Sequence, residues 1–294
     1  MRFNLLGPLE AVSEDGPVEF GGFNHRAIAG FLLLRANEVV PTSKLIQALW
    51  GYDTPATSRK MVHNGVSALR RIIDRHARPD GSVRLTTAPP GYRLTVADGH
   101  LDLWHFRRQV ELGRAEIAEG QRESGTNKLR SALALWRGPA LADLAENGIA
   151  WPELKAVTGL RMSVFEDYAQ ELLRRGQHQE ILGELEEMAA AEPTEERLCG
   201  LLMVALYRVG RQHDALAAYR RTRAALLDDF GLDPGRELRA LELAVLNQDP
   251  ALNPESRPYW QHTARRPVGV GRCEHRLRGV AGRGGTMLHS RRRP

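Results

Sequence analysis

Three features of the 294-residue sequence predict a mainly α chain with a small α+β unit at its N-terminus. Strand-like alternation occurs only within residues 1–23 and 83–96. From Asp102 onward the apolar residues recur at helical spacing, and a 34-residue repeat runs through the second half. The length suggests about two domains. Two cysteines, Cys199 and Cys273, exclude a disulfide-stapled fold and a four-thiolate zinc site.

Residues 1–23 read as strands. Phe3 and Leu5 alternate with polar neighbours, Gly7-Pro8 breaks the run, and Ser13 to Pro17 supplies turn chemistry ahead of Val18-Glu19-Phe20. A helix over Arg26–Ala36 would turn Ile28, Phe31, Leu32 and Leu34 inward and stop at Asn37, with Pro41 preventing its continuation. A second helix begins at Ser43, buries Leu45, Ile46, Leu49 and Trp50, and ends at Gly51. Residues 51–56 form a loop. A third helix follows, with Thr57 or Ser58 as its expected cap, because a short hydroxyl satisfies free backbone N–H groups.

At about 100° per residue the third helix separates into two surfaces. Val62, Val66, Leu69 and Ile73 form an apolar stripe, widened by Met61 and Ile72. Lys60, Asn64, Ser67, Arg71 and Arg75 form the opposite stripe, flanked by Arg59, His63 and Arg70. Cations, amides and hydroxyls in a row suit phosphates and base edges in a major groove. The same pattern also describes an ordinary solvated face. A hairpin follows, with residues 83–87 and 92–96 flanking Ala88-Pro89-Pro90-Gly91. Strands, three helices and a basic terminal hairpin over residues 1–97 describe a winged helix–turn–helix.

Charge supports this division. The chain carries a net +5 with a pI near 9.5, but unevenly. Residues 1–97 are +4, residues 98–256 are −8 and residues 257–294 are +9. Within 59–78, six basic side chains stand against one acid, Asp74.

Residues 98–252 read as all-helical. Leu103, Phe106, Val110, Leu112 and Ile117 suit one helix, and Leu129, Leu133, Leu135 and Trp136 the next. After a loop at Gly138-Pro139, a long helix runs from about Trp151 to Arg175. Leu172, Leu173, Gly176, Leu182 and Leu185 are matched 34 residues later by Leu206, Tyr207, Gly210, Leu216 and Tyr219. That period points to tetratricopeptide-like stacking, which buries a continuous core and leaves a concave surface.

Residues 253–294 hold ten arginines, six glycines after residue 256 and few large apolar residues, so a packed core is not expected there. They read either as a solvated nucleic-acid-binding extension or as an idle one, and the lack of periodicity favours the latter.

Segment 24–96 resembles the OmpR-type DNA-binding domain of the Streptomyces antibiotic regulatory protein family. The matching stretches are Leu32 to Asn37, Lys44 to Gly51, Val66 to Arg71 and Pro89 to Leu94. Asp102 to Phe106, Ala132 to Gly138, Leu202 to Gln212 and Phe230 to Leu238 are similar to the bacterial transcriptional activation domain that follows in those regulators. The resemblance implies that Arg59, Lys60, His63, Asn64, Ser67, Arg70, Arg71 and Arg75 meet a groove or its phosphates, with Arg93 as a wing contact. It also implies that Gly51, Tyr52, Asp53 and Thr54 form a polymerase contact, although an ordinary connector is an equal reading of that loop. Gly65 and Ala68 depart from the family, whose members usually carry a larger polar or aromatic residue and an arginine there.

The resemblance implies a pathway-specific activator of a secondary-metabolite cluster. Its partners would be double-stranded DNA with direct repeats near the −35 region, RNA polymerase holoenzyme, and a second copy bound head to tail. A repressor using the same contacts, or a helical-repeat adaptor with a degenerate winged helix, are the alternatives. No phosphate-binding loop, nucleophile elbow or metal-ligand spacing is present, so neither enzyme chemistry nor a cofactor or metal is expected. No apolar stretch is long enough to span a membrane and no signal-peptide region opens the chain, so the expected location is cytoplasmic. No receiver domain is read ahead of the winged helix.

Overall fold

The computed structural model describes residues 1–77 and 81–253, so the expectations for the Arg/Gly-rich tail lie outside the described residues. The N-terminal strands β1 (Arg2–Asn4), β2 (Glu10–Ser13) and β3 (Gly16–Pro17) form an antiparallel sheet in sequence order. The turn residues at 13–17 close it as expected, but Val18 to Phe20 follow it as irregular chain rather than as a strand. Three helices come next: α1 (Phe23–Leu34), α2 (Thr42–Trp50) and α3 (Ser58–His76). A two-residue strand, β4 (Val40–Pro41), precedes α2 and joins the hairpin β5 (Val83–Ala88) and β6 (Gly91–Val96) in the order β4-β6-β5.

That third strand depends on Gly91. Any Cβ at Gly91 would overlap the Val40 carbonyl oxygen, so only a glycine lets β4 approach β6 there. The hairpin register pairs Arg84 with Thr95 and Thr86 with Arg93. The alternation turns Val83, Leu85, Leu94 and Val96 into the core.

The second part is helical: α4 (Asp102–Ala118), α5 (Arg122–Leu133), α6 (Ala142–Ala145), α7 (Pro152–Arg174), α8 (His178–Ala191), α9 (Glu196–Arg208), α10 (Gln212–Phe230) and α11 (Arg236–Leu246). Its stacking follows the repeat. Gly176 and Gly210, 34 residues apart, have φ of 74° and 80°. In each turn the next residue's N–H reaches back five residues, Gln177 to the Leu172 carbonyl and Arg211 to the Leu206 carbonyl. This closure satisfies free helix-end carbonyls and needs a residue that tolerates positive φ. The α4–α5 turn repeats it at Gly120, where Gln121 N–H meets the Glu116 carbonyl.

One hydrophobic core runs continuously from the winged helix into the helical stack. Its junction is α1, which is buried nearly all round at Ala27 through Leu33 instead of along one stripe. One side of α1 packs on α3. On another, Gly30 lies so near Leu141, Leu144 and Trp151 that a Cβ would touch all three, and Phe31 meets Trp151 edge-on at 5.0 Å. The Trp151 indole N–H donates to the Ala48 carbonyl of α2 (2.8 Å). Arg26 pairs with Asp143 (2.6 Å) and Arg35 with Glu153. The Asp102 carboxylate accepts N–H groups from Leu5 and Leu6, while Asp143 accepts that of Leu9 (2.7 Å). Buried backbone donors are thus matched by carboxylates on α4 and α6.

Candidate nucleic-acid interface

The expected apolar stripe of α3 is the buried one. Val62, Val66, Leu69 and Ile73 are each at most 3% exposed, and they pack the helix on α1, α2 and β5. The opposite face is thereby fixed outward. Arg59, Lys60, His63, Asn64, Arg71 and Arg75 are exposed, and Ser67 is half-buried between them. None of the six exposed side chains has a hydrogen-bond or ion-pair partner among the described residues. From Lys60 to Arg75 the row is about 22 Å long at 1.5 Å per residue.

The N-terminus of α3 sharpens this electrostatic picture. Thr57 occupies the cap position, but its side chain accepts no backbone N–H. The hydroxyl turns instead toward the Met61 sulfur, 3.7 Å away. The first turn contains no acidic residue and carries Arg59 and Lys60. Cations at the positive end of a helix cost about 0.3–1 kcal/mol in isolation. The same arrangement favours an anion, since free N–H groups and the helix dipole converge there.

Arg70 differs from the other cations. It is half-buried, and its guanidinium spans from α3 to the wing, donating to the Leu85 carbonyl (3.0 Å) and to the Thr87 hydroxyl (3.1 Å). It therefore ties the hairpin to α3. Arg93 is exposed on the face of the hairpin turned away from the core, and Arg84 shares that face. Arg84 was not among the expected contacts, although strand alternation from Arg93 and the pairing across the turn would have placed it there.

Gly65 is buried, not outward. A Cβ would lie 2.5 Å from the Ile28 Cδ1 and 3.5 Å from the His25 ring. Its small size serves helix packing, so it leaves no gap in the polar row. Ala68 is half-buried and, at about 100° per residue, falls beside Arg75 at the edge of the outward row.

Gly51, with φ of 55°, Tyr52, Asp53 and Thr54 form a fully exposed turn between α2 and α3. Its own hydrogen bonds shape it, Asp53 N–H to the Trp50 carbonyl (3.0 Å) and the Thr54 hydroxyl to the Gly51 carbonyl (3.2 Å). The Tyr52 ring is fully exposed and has no packing partner among the described residues. Among the described residues no helix is long and apolar enough to cross a membrane, and no cluster of metal-ligating side chains occurs.

Comparison with known proteins matches both parts of the chain. Residues 24–94 fit the family described as "Transcriptional regulatory protein, C terminal", and residues 101–246 fit the "Bacterial transcriptional activator domain". The chain is 37% identical over 250 residues to the transcriptional regulatory protein EmbR of Mycobacterium tuberculosis, covering 85% of this chain and 64% of EmbR. It thus spans just under two thirds of that relative. Regulatory protein DnrI of Streptomyces peucetius is 32% identical over 258 residues, with 86% of this chain and 94% of DnrI covered. The transcriptional regulator RedD of Streptomyces coelicolor is 32% identical, with 86% and 72% covered. A solved structure of EmbR in complex with a low-affinity phosphopeptide superposes with a TM-score of 0.74 at 35% identity, covering 85% of this chain and 65% of that one. With its OmpR-type winged helix followed by a bacterial transcriptional activator domain, the chain belongs to the Streptomyces antibiotic regulatory protein family of transcriptional regulators.

Proposed function

We propose that this regulator is a sequence-specific DNA-binding activator, controlling a secondary-metabolite gene cluster through direct repeats near the −35 region. The observation that carries the reading is the row of polar side chains on α3 that have no partner among the described residues, together with the uncapped, doubly cationic start of that helix. With α3 in the major groove, the middle of the row, Asn64 and Ser67, reaches base edges. The ends, Arg59 and Lys60 on one side and Arg71 and Arg75 on the other, reach phosphates. Arg93 extends the contact on the wing, and Arg70 holds the wing in position.

Direct repeats call for two copies bound head to tail. The exposed turn Gly51 to Thr54 is the surface offered to RNA polymerase, because an unpacked aromatic beside an acid on a loop is free to contact a partner. The continuous core through α1 fixes the reading head relative to the helical stack, so that polymerase contacts made by either part keep a set geometry on the promoter. The departure from the family at Gly65 gives no support to a degenerate winged helix, since its packing against Ile28 accounts for it.

Chromatin immunoprecipitation with sequencing tests this reading. The expected result is enrichment at promoters bearing a repeated element that abuts the −35 region and leaves the start site uncovered. Sites covering the start would make the protein a repressor, and no enriched DNA at all would make it an adaptor.

A further inference from the structure

Helices α5 and α8 both pack on α7. Between them lies a cleft of about 330 Å³, lined by Arg130 of α5, Arg161, Phe165 and Tyr168 of α7, and Glu184 and Glu187 of α8 among others. The lining is ordered by chemistry. The α5 wall brings Arg130, the α7 floor brings Arg161 with the two aromatic rings, and the α8 wall brings both glutamates and Met188.

Several charged side chains elsewhere in this domain are paired. Arg114 meets Asp167, Arg122 meets Glu171 and Arg197 meets Glu166 at 2.7–3.0 Å. In the cleft none of Arg130, Arg161, Glu184 and Glu187 has a hydrogen-bond or ion-pair partner among the described residues. Arg161 is held by stacking on the Trp136 ring, 4.8 Å from its centre, rather than by a carboxylate. Burial lowers the pKa of this guanidinium from its ordinary value. A half-buried cation with no counter-charge is costly, and an anion arriving beside it offsets that cost.

We propose that this cleft binds a small amphoteric molecule. Its carboxylate would meet Arg130 and Arg161, its ammonium would meet Glu184 and Glu187, and an apolar or aromatic body would lie over Phe165, Tyr168 and Met188. Size separates this occupant from a protein segment. The volume sits at the small end of the roughly 300–1,000 Å³ range of small-molecule sites, whereas a helix is about 10–12 Å across with its side chains. Amino acids with large apolar side chains, and their derivatives, are the class that fits.

Titration calorimetry on the full chain tests the site with L-tryptophan and L-phenylalanine, each beside analogues lacking the amine (3-indolepropionate, 3-phenylpropionate) or the carboxylate (tryptamine, phenethylamine). The expected result is one saturable site for at least one amino acid, with a Kd at or below about 1 mM. Either single-charge analogue of that amino acid should bind at least about tenfold more weakly, a loss of about 1.4 kcal/mol. Arg161→Gln should weaken binding by a similar factor. Because that change also removes the stack on Trp136, the exposed pair Glu184→Gln/Glu187→Gln serves as the second variant, and it should lose the preference for the amino acid over its deaminated analogue. No saturable binding of either amino acid at about ten times that concentration would overturn the proposal, as would binding unaffected by both variants.

Discussion

Gly65 of α3 lies against Ile28 of α1, so close that a Cβ on the glycine would stand 2.5 Å from the Ile28 Cδ1. This contact seats α3 on the helix that joins the two halves of the protein. It yields a double-mutant cycle. Gly65→Ala should gain about 1 kcal/mol of helix propensity but lose about 1–3 kcal/mol to overpacking. Ile28→Val alone should cost about 0.5–1.5 kcal/mol. It also removes the Cδ1 that the new methyl would strike, so the double variant should be more stable than the sum of the singles by about 1 kcal/mol or more. Urea denaturation of the four proteins measures this, and strict additivity would remove the contact from the account.

Arg70 should behave as a structural clamp as well as a cation. Arg70→Ala breaks hydrogen bonds to Leu85 and Thr87 and should cost about 1.5–3 kcal/mol. Arg70→Lys should recover little of it, because an ammonium cannot reproduce the planar fork. Hydrogen exchange of the β5 and β6 amides should speed up in both variants. Exchange unchanged in the alanine variant would mean that the wing is held without it.

The Asp102 carboxyl is pushed up from its ordinary value of 3.8, chiefly by burial, although N–H groups of Leu6 and Leu5 oppose the shift. The folded chain therefore keeps a proton on Asp102 over a pH range in which the unfolded chain has released it. The stability this gives is fully present below 3.8 and is lost as pH rises through the folded value. Asp102→Asn cannot titrate, so the stability of the unsubstituted protein minus that of the variant should increase from pH 7 down to about pH 3. Urea melts across that range read the difference, and a flat or opposite slope would contradict the burial argument.

The expected DNA contacts separate by type. Arg71→Ala should weaken all sequences alike and reduce the salt slope of binding by about 1. Asn64→Ala should cost about 1–3 kcal/mol and relax one position of the site. Titrations against a site series at several salt concentrations distinguish them, and the same slope in both variants would merge the two roles.

What could be seen in the sequence was periodic or local. The two stripes of α3 follow from a spacing of about 100°, and the helical repeat from glycines 34 residues apart. What could not be seen depended on distant chain. Gly65 reads as a weak point by propensity and becomes a packing residue only once Ile28 is beside it. The burial of α1 on nearly every side hides its periodicity, because core lies both toward α3 and toward Trp151. Two-residue β4 contains a proline and carries no alternation, so only its pairing with β6 reveals it. Arg70 reads as one of a row of cations until the wing folds over it. Thr57 has the right chemistry for a cap, yet its hydroxyl faces Met61 instead.

On the proposed function, the outward row of α3 reads promoter DNA. The most direct measurement is a titration of promoter fragments from the regulator's own gene neighbourhood with the full chain and with the triple variant Lys60→Ala/Asn64→Ala/Arg71→Ala, after thermal melts establish that both are folded. The expected result is specific, salt-dependent binding by the former and loss of that binding by the latter. Intact promoter binding by the folded triple variant would contradict the claim.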